Sequence, residues 1–182
     1  MKLFIASDIH GSSYYCQKLI NAFENEKADR ILLLGDILYH GPRNDLPKEY
    51  DPKKVIEMLN KYCDKILSVR GNCDSEVDQM VLNFPCLADY TLLFDEDKTI
   101  FITHGHIYNA ENMPKIKAGD VLLHGHTHVT ACEKLDCGAY YINPGSVSIP
   151  KNNTQRGYLI FEKSTFIFKN LDGGVLNSFS LL

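Results

Sequence analysis

Five of the seven histidines lie in two short clusters, which is the first sign of chemistry in this sequence. Residues 103–106 read Thr-His-Gly-His, and residues 124–128 read His-Gly-His-Thr-His. His126 and His128 alternate, so in an extended strand both side chains point to one face. Because imidazole is the commonest ligand of divalent metal ions, the clusters favour a metal site.

Three earlier motifs add carboxylate and amide groups: Asp8-Ile9-His10, Gly35-Asp36 and Gly71-Asn72-Cys73-Asp74. Each motif alone is weak, since such residues also occur in ordinary turns and caps. As an ordered set the five motifs are specific. Carboxylate, imidazole and amide ligands without thiolate suit Mn²⁺, Fe²⁺, Co²⁺ or Zn²⁺. Such an ion can lower the pKa of a bound water to about 7 and so supply a hydroxide nucleophile, which means that no side-chain nucleophile is needed.

Each motif follows a short apolar run of the kind that forms a strand buried on both faces. The runs are residues 2–6, 30–34, 66–69, 100–102 and 121–123. Helical segments separate the first three runs. One has Ser12 or Ser13 available as N-cap, and a second begins at Asp51-Pro52. A short third has Asp74 or Ser75 available as its cap, and Asp74 is favoured. Such β-α-β units predict parallel strands, whose carboxyl ends would bring the motifs together at one edge.

The second half of the chain predicts hairpins instead of crossovers. Residues 91–94 pair with 99–103, residues 129–135 with 139–142, and residues 157–161 with 165–168. The sequence therefore predicts a mixed α/β fold with two sheets packed face to face and helices outside.

These motifs, in this order, resemble those of the calcineurin-like metallophosphoesterase superfamily. Gly-Asn-Cys-Asp at residues 71–74 and Asn-Pro-Gly-Ser at residues 143–146 are similar to its small bacterial YfcE-type phosphodiesterase branch. The resemblance implies a single metallophosphoesterase domain over residues 1–182. It also implies an α/β (in some schemes α+β) fold, a four-layer α/β/β/α sandwich with two mixed sheets.

The resemblance further implies a dinuclear site, most often loaded with manganese, although Fe, Co, Ni or Zn would also fit. The residues carried over to the first metal are Asp8, His10, Asp36 and His128. Those carried over to the second metal are Asp36, Asn72, His104 and His126, with Asp36 bridging.

The catalytic candidates other than the metal ligands are residues that could donate a proton to the leaving group. Many relatives have His where this chain has Cys73, and a neutral thiol is a poor proton donor, so Cys73 is either a packing residue or a weak acid. His106 is the first alternative donor and His40 the second. His40, Arg43 and Asn44 lie in a loop after Asp36 and are the substrate-binding candidates.

Composition limits the substrate and the compartment. The net charge of −4 argues against broad nucleic-acid binding, which rests on Lys and Arg. The six cysteines form no C-x-x-C pair, and no run is long enough for a signal sequence or a membrane span. We therefore expect a soluble cytoplasmic protein without nucleic-acid or membrane partners; a homodimer or higher homo-oligomer is left open.

The predicted function is hydrolysis of a phosphodiester bond in a small substrate, by a hydroxide that bridges two divalent metal ions. The alternatives with the same site are a phosphomonoesterase and a nucleotide pyrophosphatase. Two alternatives are not enzymes. A retromer-like scaffold would have no need of metal ligands at all seven positions, and a metal-storage protein would bind metal without turning over a phosphoester.

Overall fold

Two β-sheets pack face to face in the computed structural model, which describes residues 1–182. The first sheet contains β1 (Leu3–Ala6), β2 (Arg30–Leu33), β3 (Ile66–Ser68), β9 (Gly157–Glu162), β10 (Thr165–Asn170) and β11 (Val175–Ser180). The second contains β4 (Tyr90–Asp95), β5 (Lys98–Thr103), β6 (Val121–Leu123), β7 (Thr130–Lys134) and β8 (Tyr140–Pro144). The predicted class, a mixed α/β fold with two sheets, is confirmed.

The pairing of the strands follows the sequence pattern. In the first sheet the order is β11-β10-β9-β1-β2-β3, and β1, β2 and β3 are parallel as the crossovers predict. In the second sheet the order is β4-β5-β6-β8-β7, and β5, β6 and β8 are parallel. All three predicted hairpins form, as β4–β5, β7–β8 and β9–β10.

Three helices lie in the first half of the chain: α1 (Ser13–Glu26), α2 (Pro52–Asn60) and α3 (Glu76–Gln79). The Ser12 side chain caps α1 by accepting a hydrogen bond from the Tyr15 N–H (3.3 Å). Asp51 caps α2, with Pro52 in the first turn. Both caps agree with the sequence expectation, because their oxygens satisfy N–H groups that the helix leaves free.

The hydrophobic core has two parts, one on each face of the first sheet. One part lies between the first sheet and the helices and includes Phe4, Leu33 and Phe23. The other lies between the two sheets and includes Ile5 and Val121. Successive residues of β1 therefore bury their side chains on opposite faces, as a central strand requires.

The helical layers differ from the four-layer expectation on one side. No helix follows Gln79, so only the first sheet has a helical layer. The outer face of the second sheet instead exposes Tyr90, Leu92 and Phe94 on β4. None of the helices is long and apolar enough to cross a membrane.

Candidate metal centre

Seven side chains from both sheets converge at one end of the sandwich. Each lies just beyond the carboxyl end of a parallel strand, where ligands bind in α/β folds. The first sheet supplies Asp8 and His10 after β1, Asp36 after β2 and Asn72 after β3. The second sheet supplies His104 after β5, and His126 and His128 after β6. These are the seven positions that the sequence analysis proposed as metal ligands.

A first group of atoms surrounds Asp8. Its Oδ1 lies 3.5 Å from His10 Nε2 and 3.2 Å from His128 Nε2. The two Nε2 atoms lie 3.1 Å apart. All three residues are buried. This group matches the first predicted ligand set.

A second group lies on the other side of Asp36. His104 Nε2 is 3.1 Å from Asn72 Oδ1 and 3.2 Å from His126 Nδ1. Asp36 Oδ2 lies 3.5 Å from His104 Nε2 and 3.6 Å from His10 Nε2, so it borders both groups. Its other oxygen, Oδ1, accepts a hydrogen bond from the Cys73 N–H (2.8 Å). The carboxylate of Asp36 is therefore the one group that both sets share.

The hydrogen bonds of the imidazoles fix their neutral tautomers in a way that fits a bound cation in both groups of ligands. Nδ1 of His10, His104 and His128 each lies 2.6–2.8 Å from a backbone carbonyl oxygen, which only accepts hydrogen bonds. In the neutral rings the proton is therefore on Nδ1, and the Nε2 lone pairs face each other and the carboxylates. Asp8 Oδ1 is buried without a hydrogen-bond donor other than these rings. A divalent ion satisfies such an arrangement, and the carbonyl contacts fix each ring in the ligating tautomer.

The electrostatics of the site also demand positive charge. Burial raises the pKa of Asp8, but its close contacts with His10 and His128 outweigh burial and hold the pKa well below its ordinary value. Burial lowers the pKa of His104, yet its contact with Asp36 raises it to about 9. Burial and the charge of His104 lower the pKa of His126 to about 4. Burial raises the pKa of Asp36, but its contact with His104 outweighs burial and lowers it, so the surroundings of both carboxylates favour their charged forms.

The backbone of the site is strained. Asp8, His10, Asp36, His126 and His128 have φ between 50° and 63°, in the left-handed region that residues with a Cβ rarely adopt. Five of the seven proposed ligands thus have left-handed backbone conformations. Such strain persists where surrounding contacts fix the backbone, and it is concentrated at functional sites.

Asp74 holds the loops of the site together, which corrects the sequence expectation that it caps α3. Its Oδ2 accepts hydrogen bonds from the N–H groups of Asp36 (2.8 Å) and Gly71 (2.7 Å), and its Oδ1 accepts one from Ile37 (2.9 Å). The N-cap position of α3 belongs to Ser75. A Cβ at Gly71 would overlap Asp36, so only glycine permits this approach of the two loops.

The motif at residues 143–146 supports the site from behind. Asn143 Nδ2 donates to the Gly125 carbonyl (2.8 Å), and Ser146 Oγ donates to the Asp8 carbonyl (2.8 Å). His124 is buried next to this motif and stacks on Tyr141, with ring centroids 4.5 Å apart.

A cavity of about 380 Å³ opens beside the two groups. Arg43 and Asn44, two of the three substrate-binding candidates, line it. His40 does not line it and packs against the rings of Tyr39 and Tyr50. Sequence reasoning missed two further lining residues, Thr127 and Lys151. Thr127 stands inside a motif that was interpreted through its histidines alone, and Lys151 belongs to no motif.

The two remaining catalytic candidates lie beside the second group. The His106 ring is 5.4 Å from that of His104 and 6.3 Å from that of His126, and its Nδ1 is buried without a partner. Burial and the charge of His104 lower the pKa of His106. Burial and the charge of Asp36 raise the pKa of the Cys73 thiol. Proton donation by either residue stays a prediction.

The comparison with known families agrees with this geometry. Residues 1–165 match the calcineurin-like phosphoesterase superfamily domain. The chain belongs to that superfamily. The family depends on metal, and the buried Asp and His groups of the centre fit that dependence.

Individual relatives place the chain more closely within the family. The chain is 47% identical to phosphodiesterase YfcE of Escherichia coli (strain K12) over 158 residues, which cover 87% of this chain and 85% of that protein. It is 27% identical to the probable metallophosphoesterase YsnB of Bacillus subtilis, over 88% of this chain and 83% of that protein. The predicted membership of the YfcE-type branch is therefore confirmed.

Solved structures give the same result. The crystallised phosphoesterase YfcE from E. coli superposes with a TM-score of 0.94, 42% identity and full coverage of both chains. Vps29 from Entamoeba histolytica superposes with a TM-score of 0.59 at 16% identity, again over both full chains. The second likeness shows a shared fold only.

Proposed function

We propose that this protein is a metal-dependent phosphodiesterase that cleaves a small substrate. The observation that carries the proposal is the convergence of imidazole lone pairs on two buried carboxylates, Asp8 and Asp36. Its similarity to YfcE, named a phosphodiesterase, supports a diester as substrate. Because the proposed site takes residues from both sheets, we also propose that residues 1–182 act as one domain.

The two groups of the centre would hold two divalent ions. We propose Asp8, His10 and His128 as ligands of the first and Asn72, His104 and His126 as ligands of the second, with Asp36 shared. Manganese suits these oxygen and nitrogen ligands, as do Fe, Co, Ni or Zn. Such ions supply an activated water and neutralise charge on the phosphoryl group.

The protein's own residues orient the reactants. Asp36 and Asn72 line the cavity together with His126 and His128, so they would face the reacting phosphate as well as a cation. Asn44, on the cavity wall, can donate hydrogen bonds to phosphoryl oxygens, and Arg43 on the same wall presents a positive charge to the substrate. His106 is proposed to donate the proton to the leaving group, since it lies beside His104 and has a free ring nitrogen.

The test is hydrolysis of bis(p-nitrophenyl) phosphate beside p-nitrophenyl phosphate. Protein stripped of metal and reconstituted with Mn²⁺ should cleave the diester and cleave the monoester slowly. The Asp36→Asn variant should lose diester turnover, because it removes charge from both groups. Preferential monoester cleavage would favour the phosphomonoesterase alternative. Turnover of neither compound, with metal bound, would contradict the proposal and favour a scaffold or storage role.

A further inference from the structure

The cavity beside the metal centre has an entirely polar wall. Four of its lining residues are proposed metal ligands, namely Asp36, Asn72, His126 and His128. The other four are Arg43, Asn44, Thr127 and Lys151. No Phe, Tyr, Trp or aliphatic residue lines it, so it offers no hydrophobic surface for burying an acyl chain. The substrate that fits it is polar on both sides of its phosphate.

Two cations face this cavity without a partner. The side chains of Arg43 and Lys151 are exposed, and neither makes a hydrogen bond or an ion pair. The only acid on the cavity wall is Asp36, whose oxygens already contact Cys73, His10 and His104. Both basic side chains are therefore free to bind an anionic ligand.

The structure fixes Lys151 relative to the metal centre. Its N–H donates to the carbonyl of His128 (3.0 Å), and its own carbonyl accepts a hydrogen bond from the Thr154 hydroxyl (2.8 Å). Nδ1 of His128 in turn donates to the carbonyl of Ile149, two residues before Lys151. The turn that carries the lysine is thus attached to a proposed ligand, which places the base of its side chain at the wall of the cavity.

Charge balance indicates what these cations bind, and this step rests on the proposed function. Two divalent ions bring four positive charges, of which Asp8 and Asp36 neutralise two and a hydroxide one. The single negative charge of a phosphodiester neutralises the remainder. Arg43 and Lys151 then leave two positive charges on the cavity wall that the reacting phosphate does not need.

We propose that the natural substrate is a phosphodiester with a second anionic group, a carboxylate or a phosphate, on one of its two esterified substituents. Arg43 and Lys151 bind that group. Arg43 presents a planar fork of donors and Lys151 a compact charge, and both suit an oxyanion. The two residues set specificity for the substituent, while the metal centre acts on the ester bond.

A matched pair of substrates tests this inference. 4-Nitrophenyl 4-carboxyphenyl phosphate and 4-nitrophenyl 4-carbamoylphenyl phosphate share the leaving group and the reacting phosphate and differ in one charge. The manganese-loaded protein should prefer the carboxylate compound by about tenfold in kcat/KM, and added salt should reduce the preference. Lys151→Gln and Arg43→Gln should each reduce the ratio toward one, mainly through KM. Lys53→Gln on α2, which is exposed and outside the cavity, should keep it.

Binding gives a second readout that does not depend on turnover. Methyl(4-carboxybenzyl)phosphinate and its 4-carbamoyl counterpart carry the charge of a diester and have no ester bond. Calorimetry should show tighter binding of the carboxylate compound to the wild type, and this difference should shrink in both variants. Equal affinities in the wild type, or a preference unchanged in both variants, would overturn the inference. Absence of turnover would contradict the proposed function alone, because the calorimetric comparison would still decide the inference.

Discussion

Asp74 determines how the residues of the centre are positioned, although it is not one of the seven proposed ligands. Its two carboxylate oxygens accept three backbone hydrogen bonds, two from the loop of Asp36 and one from Gly71, the residue before Asn72. A buried acceptor that satisfies three donors stabilises a structure mainly because its loss leaves those donors unpaired. The carboxylate therefore joins the shared ligand to the loop that supplies the amide ligand.

We predict that Asp74→Asn lowers both stability and metal affinity. Asparagine has one oxygen where three N–H groups require two, and its NH₂ group would face a donor. The loss in the free energy of unfolding should be about 1–3 kcal/mol, measured by urea denaturation. Mn²⁺ titration should show weaker binding, which a purely structural role would not cause. Asp78→Asn in α3 is the control and should keep the affinity of the wild type; equal affinities in both variants would contradict the prediction.

The Cys73 N–H donates to Asp36 Oδ1, and its Sγ accepts a hydrogen bond from Asn72 Nδ2 (3.3 Å), an acceptor role that a serine hydroxyl can keep. We therefore predict that Cys73→Ser keeps kcat for bis(p-nitrophenyl) phosphate within about threefold, a change of under 1 kcal/mol in the barrier. Steady-state kinetics measure this directly. A loss of about a hundredfold, as expected for an acid–base group, would instead assign the thiol a catalytic role.

At the residue scale, motifs predicted the proposed ligands, and isolated residues were missed. His104 and His126 stand in dense clusters, and each motif follows an apolar strand, so the topology alone brings them together. Lys151 has no such context: its place in the cavity depends on the hydrogen bond to His128, which no local pattern encodes. Asp74 was misassigned because a helix follows it, whereas its carboxylate faces back toward the loop after β2.

At the element scale, Glu26 attaches the end of α1 to the first sheet. Its carboxylate contacts Lys2 Nζ (2.7 Å) beside β1, the Tyr158 hydroxyl (2.9 Å) on β9 and Lys169 on β10. Burial raises the pKa of Glu26, but these hydrogen bonds outweigh it and hold the pKa below its ordinary value of 4.5. A carboxyl group with a lowered pKa in the folded state stabilises the protein at neutral pH.

The sign of the pH dependence follows from that shift. The contribution of Glu26 is present above the pKa of the unfolded chain and is lost as the pH falls through the lower pKa of the folded state. Glu26→Gln should therefore be less stable than the wild type at pH 7, and the difference should shrink as the pH falls below the ordinary pKa of 4.5. Urea denaturation at several pH values measures it. Glu57→Gln, on the exposed side of α2, should show no such trend; a constant difference for Glu26→Gln would exclude the linkage.

The elements that the sequence predicted well are those buried on two sides. β1, β2 and β6 are short apolar runs, and their burial makes that pattern decisive. The helix after Ser75 is shorter than its apolar residues suggest, since Val77 and Met80 remain exposed and do not pack. β11 was not predicted because it is an exposed edge strand whose sequence has little apolar alternation.

At the scale of the whole molecule, the proposed ligands link the two sheets. Asp8, His10, Asp36 and Asn72 follow strands of the first sheet, and the remaining three follow strands of the second. Apolar packing fills the space between the sheets, and hydrogen bonds such as that from Ser146 Oγ to the Asp8 carbonyl join them at this end. Bound metal ions would therefore cross-link the sandwich at the end where its backbone is most strained.

Metal removal should accordingly destabilise the entire sandwich. A ligand at a hundred times its Kd stabilises the folded state by about 2.7 kcal/mol, which for a chain of this size raises Tm by about 5–10 °C. We expect this shift when Mn²⁺ is added to the metal-free protein, together with slower amide exchange in both β1 and β6. His128→Ala removes a ligand that the second sheet supplies, so its shift should be smaller and its β6 amides should exchange faster than those of the metal-loaded wild type. Equal Tm shifts in variant and wild type, or protection confined to one sheet, would show that the ions do not join the two sheets.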